Sequence, residues 1–384
     1  MELALSPDQK LLQKSARGLR EKECSLDRIR GLEDGELRWS RDWWRKGAEL
    51  GWAATVVPEE LGGGSVSGEG VRDLALIAEE LGAGVAPGPL LPVNAVLAGL
   101  VHAHGTGPDH SAEIESLVAG ETVASWAVYE PGGEWTAEPP GLTATPAGGG
   151  FVLDGVKDRV EDAAQSDLFL VTAATAQGTA QFLVPASAPG VTVTPQWSLD
   201  LSRAFGEVRF EGVQVGEDAL VGVPGDLRTV ERQLQIAIVV QCAELCGGLD
   251  RIFDLTTRWA FDRYSFGRPL ASYQALKHRF ADMRTWIEAC HATTQAAAGA
   301  VQAAAPDAPR LVSVAKAYVG DRAPVILQDC VQLHGGIGVT WEHDLHLYLR
   351  RAVLDQSLYG TPRDHRLRLA DLASARPAEG NDPR

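Results

Sequence analysis

Arg258-Trp259-Ala260-Phe261-Asp262-Arg263-Tyr264-Ser265-Phe266-Gly267-Arg268-Pro269-Leu270, followed by Ser272-Tyr273-Gln274-Ala275-Leu276-Lys277-His278-Arg279-Phe280-Ala281-Asp282-Met283, is the stretch on which the reading of the fold turns. Its helical texture breaks at Gly267-Arg268-Pro269 and then resumes, because Gly and Pro punctuate regular structure. That break places Arg263 in the last turn of one helix, with Phe266 and Gln274 flanking the gap. A cation, a flat ring and an amide at one turn suit a nucleotide with an anionic pyrophosphate and an aromatic base. A plain helix–turn–helix, with an Arg complementing the C-terminal dipole, accounts equally for the same residues. Downstream lies Gln332-Leu333-His334-Gly335-Gly336-Ile337-Gly338-Val339-Thr340-Trp341. A Gly-Gly pair directly after a helical run lets backbone amides approach an anion or an adenine closely. It also serves as a helix C-cap, and the pair alone does not decide between the two.

Working outward, three regions differ in texture. Residues 1–118 read as helical. Ser6-Pro7-Asp8-Gln9 supplies a cap, a first-turn proline and a capping-box Gln, and Leu11, Leu12, Ala16 and Leu19 follow at helical spacing. Asp42–Leu50 is a second amphipathic stretch, and Leu74, Ile77, Ala78 and Leu81 make a third. Val56–Gly64 and Gly82–Pro92 read as loops. From 119 to 222 the period changes to two, in the runs Val123–Val128, Phe151–Leu153, Leu168–Val171, Ala180–Val184, Val191–Val193 and Val208–Phe210. Turns separate these runs, the pattern of an all-β sandwich or barrel. From 223 to 384 the helical texture returns: Leu234, Ile238, Cys242, Leu245 and Leu249 trace one face, and Ala289–Ala305 is dominated by the best helix former. The fold class is therefore α+β, multidomain, in the order helical, β, helical.

Composition removes several classes. The chain has 384 residues, long enough for two or three domains, and its 45% hydrophobic and 22% charged content is ordinary globular composition. A formal charge of −16 repels phosphate backbones and anionic lipid, so nucleic acid is not an expected partner. No apolar run approaches a membrane span, and the start Met1-Glu2-Leu3-Ala4-Leu5 lacks the basic and apolar texture of a secretory signal. The 5 cysteines, an odd number thinly spread, read as reduced thiols of a cytoplasmic protein.

Local motifs narrow the field further. Gly62–Gly64 and Gly148–Gly150 lack phosphate-loop spacing and read as turns. Glu342-His343-Asp344-Leu345-His346 sets two histidines at i and i+3 but has no third ligand at a known spacing, so no metal is expected. Cys242 and Cys246 read as core, and no Gly-x-Ser-x-Gly elbow points to a serine hydrolase.

Taken together, these stretches resemble the acyl-CoA dehydrogenase family over essentially the whole chain. Leu50-Gly51-Trp52 with Val57-Pro58-Glu59-Glu60-Leu61-Gly62-Gly63 resembles its N-terminal signature, and Tyr129-Glu130-Pro131-Gly132 its β-domain flavin loop. Arg263-x-x-Phe266-Gly267 and Gln332-x-x-Gly335-Gly336-x-Gly338 resemble its two C-terminal motifs. The resemblance implies a helical N-terminal domain, a middle β-barrel domain and a C-terminal four-helix bundle that forms dimers or tetramers. It implies an FAD flavoprotein of lipid metabolism that desaturates acyl-CoA or another acyl thioester and passes electrons to an acceptor flavoprotein. Arg263, Phe266, Gln274, Gln332, Gly335 and Gly336 are then the residues that reach the adenosine and pyrophosphate of a neighbouring subunit's FAD. Thr361 joins the cofactor set.

The same comparison exposes departures. The family's base is a Glu before Gly-Thr, and Leu358-Tyr359-Gly360-Thr361 puts Tyr359 there; a phenol titrating near pH 10 is a poor base at neutral pH. The alternative position on the first long C-terminal helix falls at Ala237-Ile238, with Glu231 about two turns away. Tyr129 replaces a Thr, Trp135 replaces a Ser, and Arg159 and Glu161 replace the Trp and Thr that line the isoalloxazine. Bulk and charge at those positions crowd a ring pocket. The pattern is similar to the non-catalytic subunits of heterotetrameric acyl-CoA dehydrogenases, such as those of bacterial steroid side-chain breakdown, and Thr340–Ala352 resembles that subgroup's signature. A subunit that completes a catalytic homologue's FAD and acyl-CoA sites is therefore the expectation. The alternatives are a self-sufficient homo-oligomer using Tyr359, Glu161 or Glu231, and a flavin-free acyl-CoA-binding structural subunit.

Overall fold

The computed structural model describes residues 5–32, 37–132 and 141–374. Trp135, named above, lies outside them. Among the described residues, six helices come first: α1 (Pro7–Glu23), α2 (Leu26–Arg30), α3 (Arg41–Glu49), α4 (Gly70–Gly82), α5 (Leu90–Ala103) and α6 (Ser111–Val118). The capping box at α1 forms as its sequence dictates. Gln9 N donates to Ser6 Oγ at 3.1 Å, and Ser6 N donates to Gln9 Oε1 at 3.2 Å. Gly82 belongs to α4 and Leu90 starts α5, so the loop expected over Gly82–Pro92 shrinks to 83–89. The expected loop at Val56–Gly64 holds a single 3-10 turn, Glu59–Leu61.

Eight strands follow: β1 (Ala124–Ala127), β2 (Thr143–Ala147), β3 (Gly150–Glu161), β4 (Leu168–Thr175), β5 (Gly178–Pro185), β6 (Val191–Gln196), β7 (Phe205–Gly216) and β8 (Leu220–Val221). They form a single sheet in the order β6-β7-β3-β2-β4-β5-β8, with β1 parallel to β4 from Ala124↔Leu168 to Ala127↔Val171. Phe169 of β4 meets Phe210 of β7 at 6.5 Å, and Phe151 of β3 meets Phe182 of β5 at 4.9 Å. Such contacts between non-neighbouring strands require the sheet to curl around its own core. β2 had no signal in the sequence because it buries only Ala144. Gly148 (φ 60°) and Gly149 (φ 85°) make the β2–β3 turn, whose two positive-φ positions glycine fills without strain.

The helical C-terminal domain begins with α7 (Leu227–Asp262) and continues with α8 (Gln274–Gln302), α9 (Ala308–His334), α10 (Leu345–Ser357) and α11 (Pro362–Ser374). α7 ends at Asp262, so Arg263 is its extended cap (φ −90°, ψ 123°) and not part of the last turn. The break is a two-stranded hairpin, β9 (Tyr264–Ser265) with β10 (Arg268–Pro269), turned on Phe266 (φ 49°) and Gly267 (φ 79°). Tyr273 Oη donates to the Ser265 carbonyl at 2.6 Å and secures that hairpin to the start of α8. The alanine-rich helix stops at Gln302, and Ala304 turns left-handed (φ 46°).

Small residues bring the helices together. A Cβ on Gly82 would fall 2.0 Å from the Glu244 carbonyl oxygen, and one on Gly247 1.9 Å from that of Glu79, so α4 and α7 touch backbone to backbone. Pro324 inside α9 leaves the Gly320 carbonyl without its helical donor; Gln356 Nε2 of α10 supplies one at 3.0 Å. His291 of α8 lies between Asp250 of α7 (2.8 Å) and Glu79 of α4 (3.6 Å). The five cysteines are free, and Cys242 and Cys246 are core. No helix among the described residues is long and apolar enough to cross a membrane.

Candidate functional site

Two places hold the residues singled out above. The first is the exposed end of the bundle. Arg263, Phe266, Gln274, Gln332, Gly335 and Gly336 are all solvent-exposed there. Trp259 ties the parts together: Arg263 lies over its ring at 5.8 Å, its Nε1 donates to the Leu333 carbonyl at 3.2 Å, and His334 stacks on it at 5.2 Å. The hairpin therefore sits beside the C-terminus of α9, where Gly335 (φ 65°) ends the helix. Phe266 is 98% exposed at the hairpin tip, a phenyl ring with nothing of this chain to cover it.

The second place is the junction of sheet and bundle, and it is buried. Tyr359, in the turn between α10 and α11, is 5% exposed. Its ring stacks on Trp126 (6.1 Å, interplanar 13°) and lies 5.9 Å from Tyr129. Its backbone is left-handed (φ 56°), a conformation costing a non-glycine residue of order 1 kcal/mol or more. Two side chains hold it there: its N–H donates to Tyr129 Oη, and His365 Nε2 donates to its carbonyl at 2.8 Å. Burial keeps His365 neutral by pushing its pKa down to about 4. Burial, with Glu161 and Tyr129 nearby, pushes the Tyr359 phenol well above 10.

Around this stack lies a set of charges that motif reading did not find. Arg203, in the loop before β7, donates to Glu161 of β3 and Glu244 of α7. Arg351 of α10 donates to Asp200 and, at 2.7 Å, to Ser202 Oγ, and lies 3.5 Å from Glu244. Lys316 of α9 donates to Gln241 Oε1 and to the Asp355 carbonyl. Burial pushes Glu161 up to about 7 and Asp355 up to about 6, with Arg203 pulling each the other way. Asp200, which burial would raise, is held low by Arg351. The only sequence signal for this cluster is single charges interrupting apolar runs, as in Ala243-Glu244-Leu245 and Ala315-Lys316-Ala317.

Among the described residues, the junction leaves no room for a flavin ring between Tyr129 and Arg159. The segments that resemblance assigns to it touch each other directly: Arg159 lies 4.4 Å over the Tyr129 ring, and Asp158 N donates to the Tyr129 carbonyl at 2.9 Å. An intervening ring needs two contacts of about 3.5–4.0 Å. Lys157, 0% exposed, closes the same region through its ion pair with Glu130. Thr361 is engaged elsewhere: its Oγ1 donates to Asp364 Oδ2 at 2.7 Å and its N–H to the same oxygen at 2.8 Å, capping α11. Glu231 accepts from Arg368 at 2.5 Å and from Gln235 at 2.9 Å. His343 lies ahead of α10, so the two histidines share no helical face; it caps Leu345 N at 3.3 Å, while His346 donates to the Trp341 carbonyl at 2.9 Å. No group of three or more metal-type ligands occurs among the described residues.

A helical domain, a curled sheet and a helical bundle, joined in this order, define the architecture of flavin-dependent acyl-thioester oxidoreductases. Residues 6–121 match the model of the acyl-CoA dehydrogenase N-terminal domain, and residues 227–372 that of its C-terminal domain. The chain is 30% identical over 366 residues to acyl-CoA dehydrogenase IpdE2 of Mycobacterium tuberculosis, covering 93% of this chain and 94% of that protein. The chain belongs to the acyl-CoA dehydrogenase family, whose members are FAD-dependent oxidoreductases. Among solved structures it is similar to a variant of the Tcur3481–Tcur3483 steroid ACAD (TM-score 0.85, 28% identity, 95% of this chain and 97% of that one). It is also similar to the ChsE4–ChsE5 complex of Mycobacterium tuberculosis (TM-score 0.85, 26% identity, 98% and 100%).

Proposed function

We propose that this chain is the partner subunit of a hetero-oligomeric acyl-CoA dehydrogenase, completing the FAD and acyl-CoA sites of a catalytic homologue and carrying out no desaturation alone. The observation that carries this reading is the contrast between its two sites. The junction is filled by Tyr359, Trp126 and Tyr129 and sealed by Arg203 and Glu161. The bundle end, by contrast, displays a cation, a ring and two amides to solvent.

When bound to the homologue, FAD supplies the hydride acceptor for α,β-desaturation of an acyl-CoA thioester. This chain contributes Arg263 to the pyrophosphate charge, Phe266 to an aromatic face, Gln274 and Gln332 as amide partners, and the Gly335–Gly336 backbone as a close approach. None of the three groups weighed above as a base is suited to the task. Glu161 is tied to Arg203, Glu231 to Arg368, and the Tyr359 phenol ionises too high. The heteromeric ChsE4–ChsE5 and steroid ACAD likenesses support the pairing, and the acceptor of the electrons is an electron-transferring flavoprotein.

The test is stoichiometry. Purified alone, the chain is expected to be colourless and inactive; produced with an adjacent homologue carrying Glu before its Gly-Thr, the complex is expected to hold one FAD per pair of chains. A lone chain with one FAD per polypeptide that desaturates acyl-CoAs refutes the proposal.

A further inference from the structure

The cluster at the junction is unusual in how it is wired. Each cation joins elements remote in sequence. Arg203 links its loop to β3 and α7, Arg351 links α10 to that loop and α7, and Lys316 links α9 to α7 and α10. A further strand runs from Arg350 to the Leu199 carbonyl at 3.1 Å. Both guanidinium groups and all their carboxylate partners are buried. We infer that this charge cluster stands in for the flavin ring as the tie between the middle sheet and the bundle, so that the chain reaches its docked, folded state with no flavin of its own.

Three observations carry the inference. Glu161, the residue replacing a ring-lining Thr, is itself the sheet's anchor in the cluster. Tyr359, replacing the base, packs in the same continuous core as Ile238, Trp126 and Phe205. Finally, both terminal nitrogens of Arg203 and all three nitrogens of Arg351 are engaged by residues of this chain. Five carboxyls, Glu161, Asp162, Asp200, Glu244 and Asp355, face Arg203, Arg351 and Lys316. Glu161 Oε2, Asp355 Oδ2 and Arg203 Nε are buried without a hydrogen-bond partner, and burial raises the pKa of both carboxyls. Asp162 is steadied separately by Trp39 Nε1 at 3.0 Å. A buried ion pair adds little over an apolar substitute, but removing one member leaves an uncompensated charge and is strongly destabilising. Loss of one member therefore loosens sheet and bundle together, a coupling that van der Waals contact alone does not supply.

The inference goes beyond the partner-subunit reading and does not depend on which chain carries FAD elsewhere in the assembly. Hydrogen exchange on the full chain, with and without excess FAD, tests it. Expected is identical protection with and without FAD at Val160–Glu161, at residues 200–203 and along α10. In Glu244→Gln and in Arg203→Met these three segments exchange faster together, by at least about tenfold, while β4 and β5 are unchanged. Should Arg203→Met not fold, the near-isosteric Glu244→Gln decides alone. FAD that raises the melting temperature by more than about 2 °C, or Glu244→Gln exchange within about twofold of the parent, overturns the inference. Failure of the partner-subunit reading registers separately, as the ratio of FAD to chains in the complex.

Discussion

Replacing Phe266 with glycine separates what this residue does for its own chain from what it does for a neighbour. The ring is 98% exposed and its backbone sits at φ 49°, at the tip of the hairpin. Left-handed backbone costs a non-glycine residue roughly 1–2 kcal/mol. Glycine removes that strain but adds about 0.5–1 kcal/mol of chain entropy in the unfolded state. The chain alone should therefore be stabilised by between zero and about 1.5 kcal/mol, read as the urea midpoint. In the complex the same ring, if seated against the partner's nucleotide, covers of order 150–250 Å², worth about 4–6 kcal/mol at ~25 cal/mol/Å². Truncated anchor residues recover about 2–4 kcal/mol of such a figure. Even the lower value weakens FAD retention about 30-fold, measurable by fluorescence as the complex is diluted. Two results refute the reasoning: a loss of more than about 2 kcal/mol in the chain alone, or unchanged FAD affinity in the complex.

Three further perturbations address other parts of the molecule. Burial by itself would lower the pKa of His291, but its hydrogen bond to Asp250 and the Glu79 carboxylate 3.6 Å away push it up to about 10. Its contribution is complete below about pH 6.5 and disappears as pH rises through 10, so the stability gap between the parent and His291→Gln should narrow by up to about 1.4 kcal/mol per pH unit between pH 7 and 10. A gap constant over that range removes the charge from the account. Lys157→Met strands Glu130 at the edge of the sheet and should cost about 2–3 kcal/mol in chemical denaturation; adding Glu130→Gln should recover part of it, and strict additivity of the two would deny the pair. Tyr359→Phe should leave turnover and the pH profile of the complex within about twofold, and a lost basic limb would make the phenol a participant.

Much of this was legible from residue order, and the illegible part has a common cause. Ser6-x-x-Gln9, the short apolar runs in β4 and β5, and the apolar face of α7 are local signals, and each produced its element. Gly148-Gly149 announced a tight turn and made one. Phe266-Gly267 announced only a break, since a hairpin of two-residue strands has too few side chains to show a period of two. β2 escaped for the same reason, with one inward residue. The exposed set at the bundle end could be named from its motif spacing. The cluster of Arg203, Glu244 and Arg351 could not, because its bonds span 41 to 151 residues and no spacing rule reaches that far. That Tyr359 stands where the resemblance puts a base was readable; that it stacks on Trp126 and is steadied by His365 was not, since those contacts join remote segments.

Helix α10 begins beside the exposed Trp341 stretch, and two turns later inserts Arg351 and Asp355 into the interior. A neighbour seated on the bundle end would press on the same rigid rod that fastens the sheet within. Assembly and internal order then share one mechanical element, so the temperature at which this chain melts should rise with the concentration of its companion by mass action. An orphaned copy, made in excess of that companion, would be the first to open and the first to be cleared.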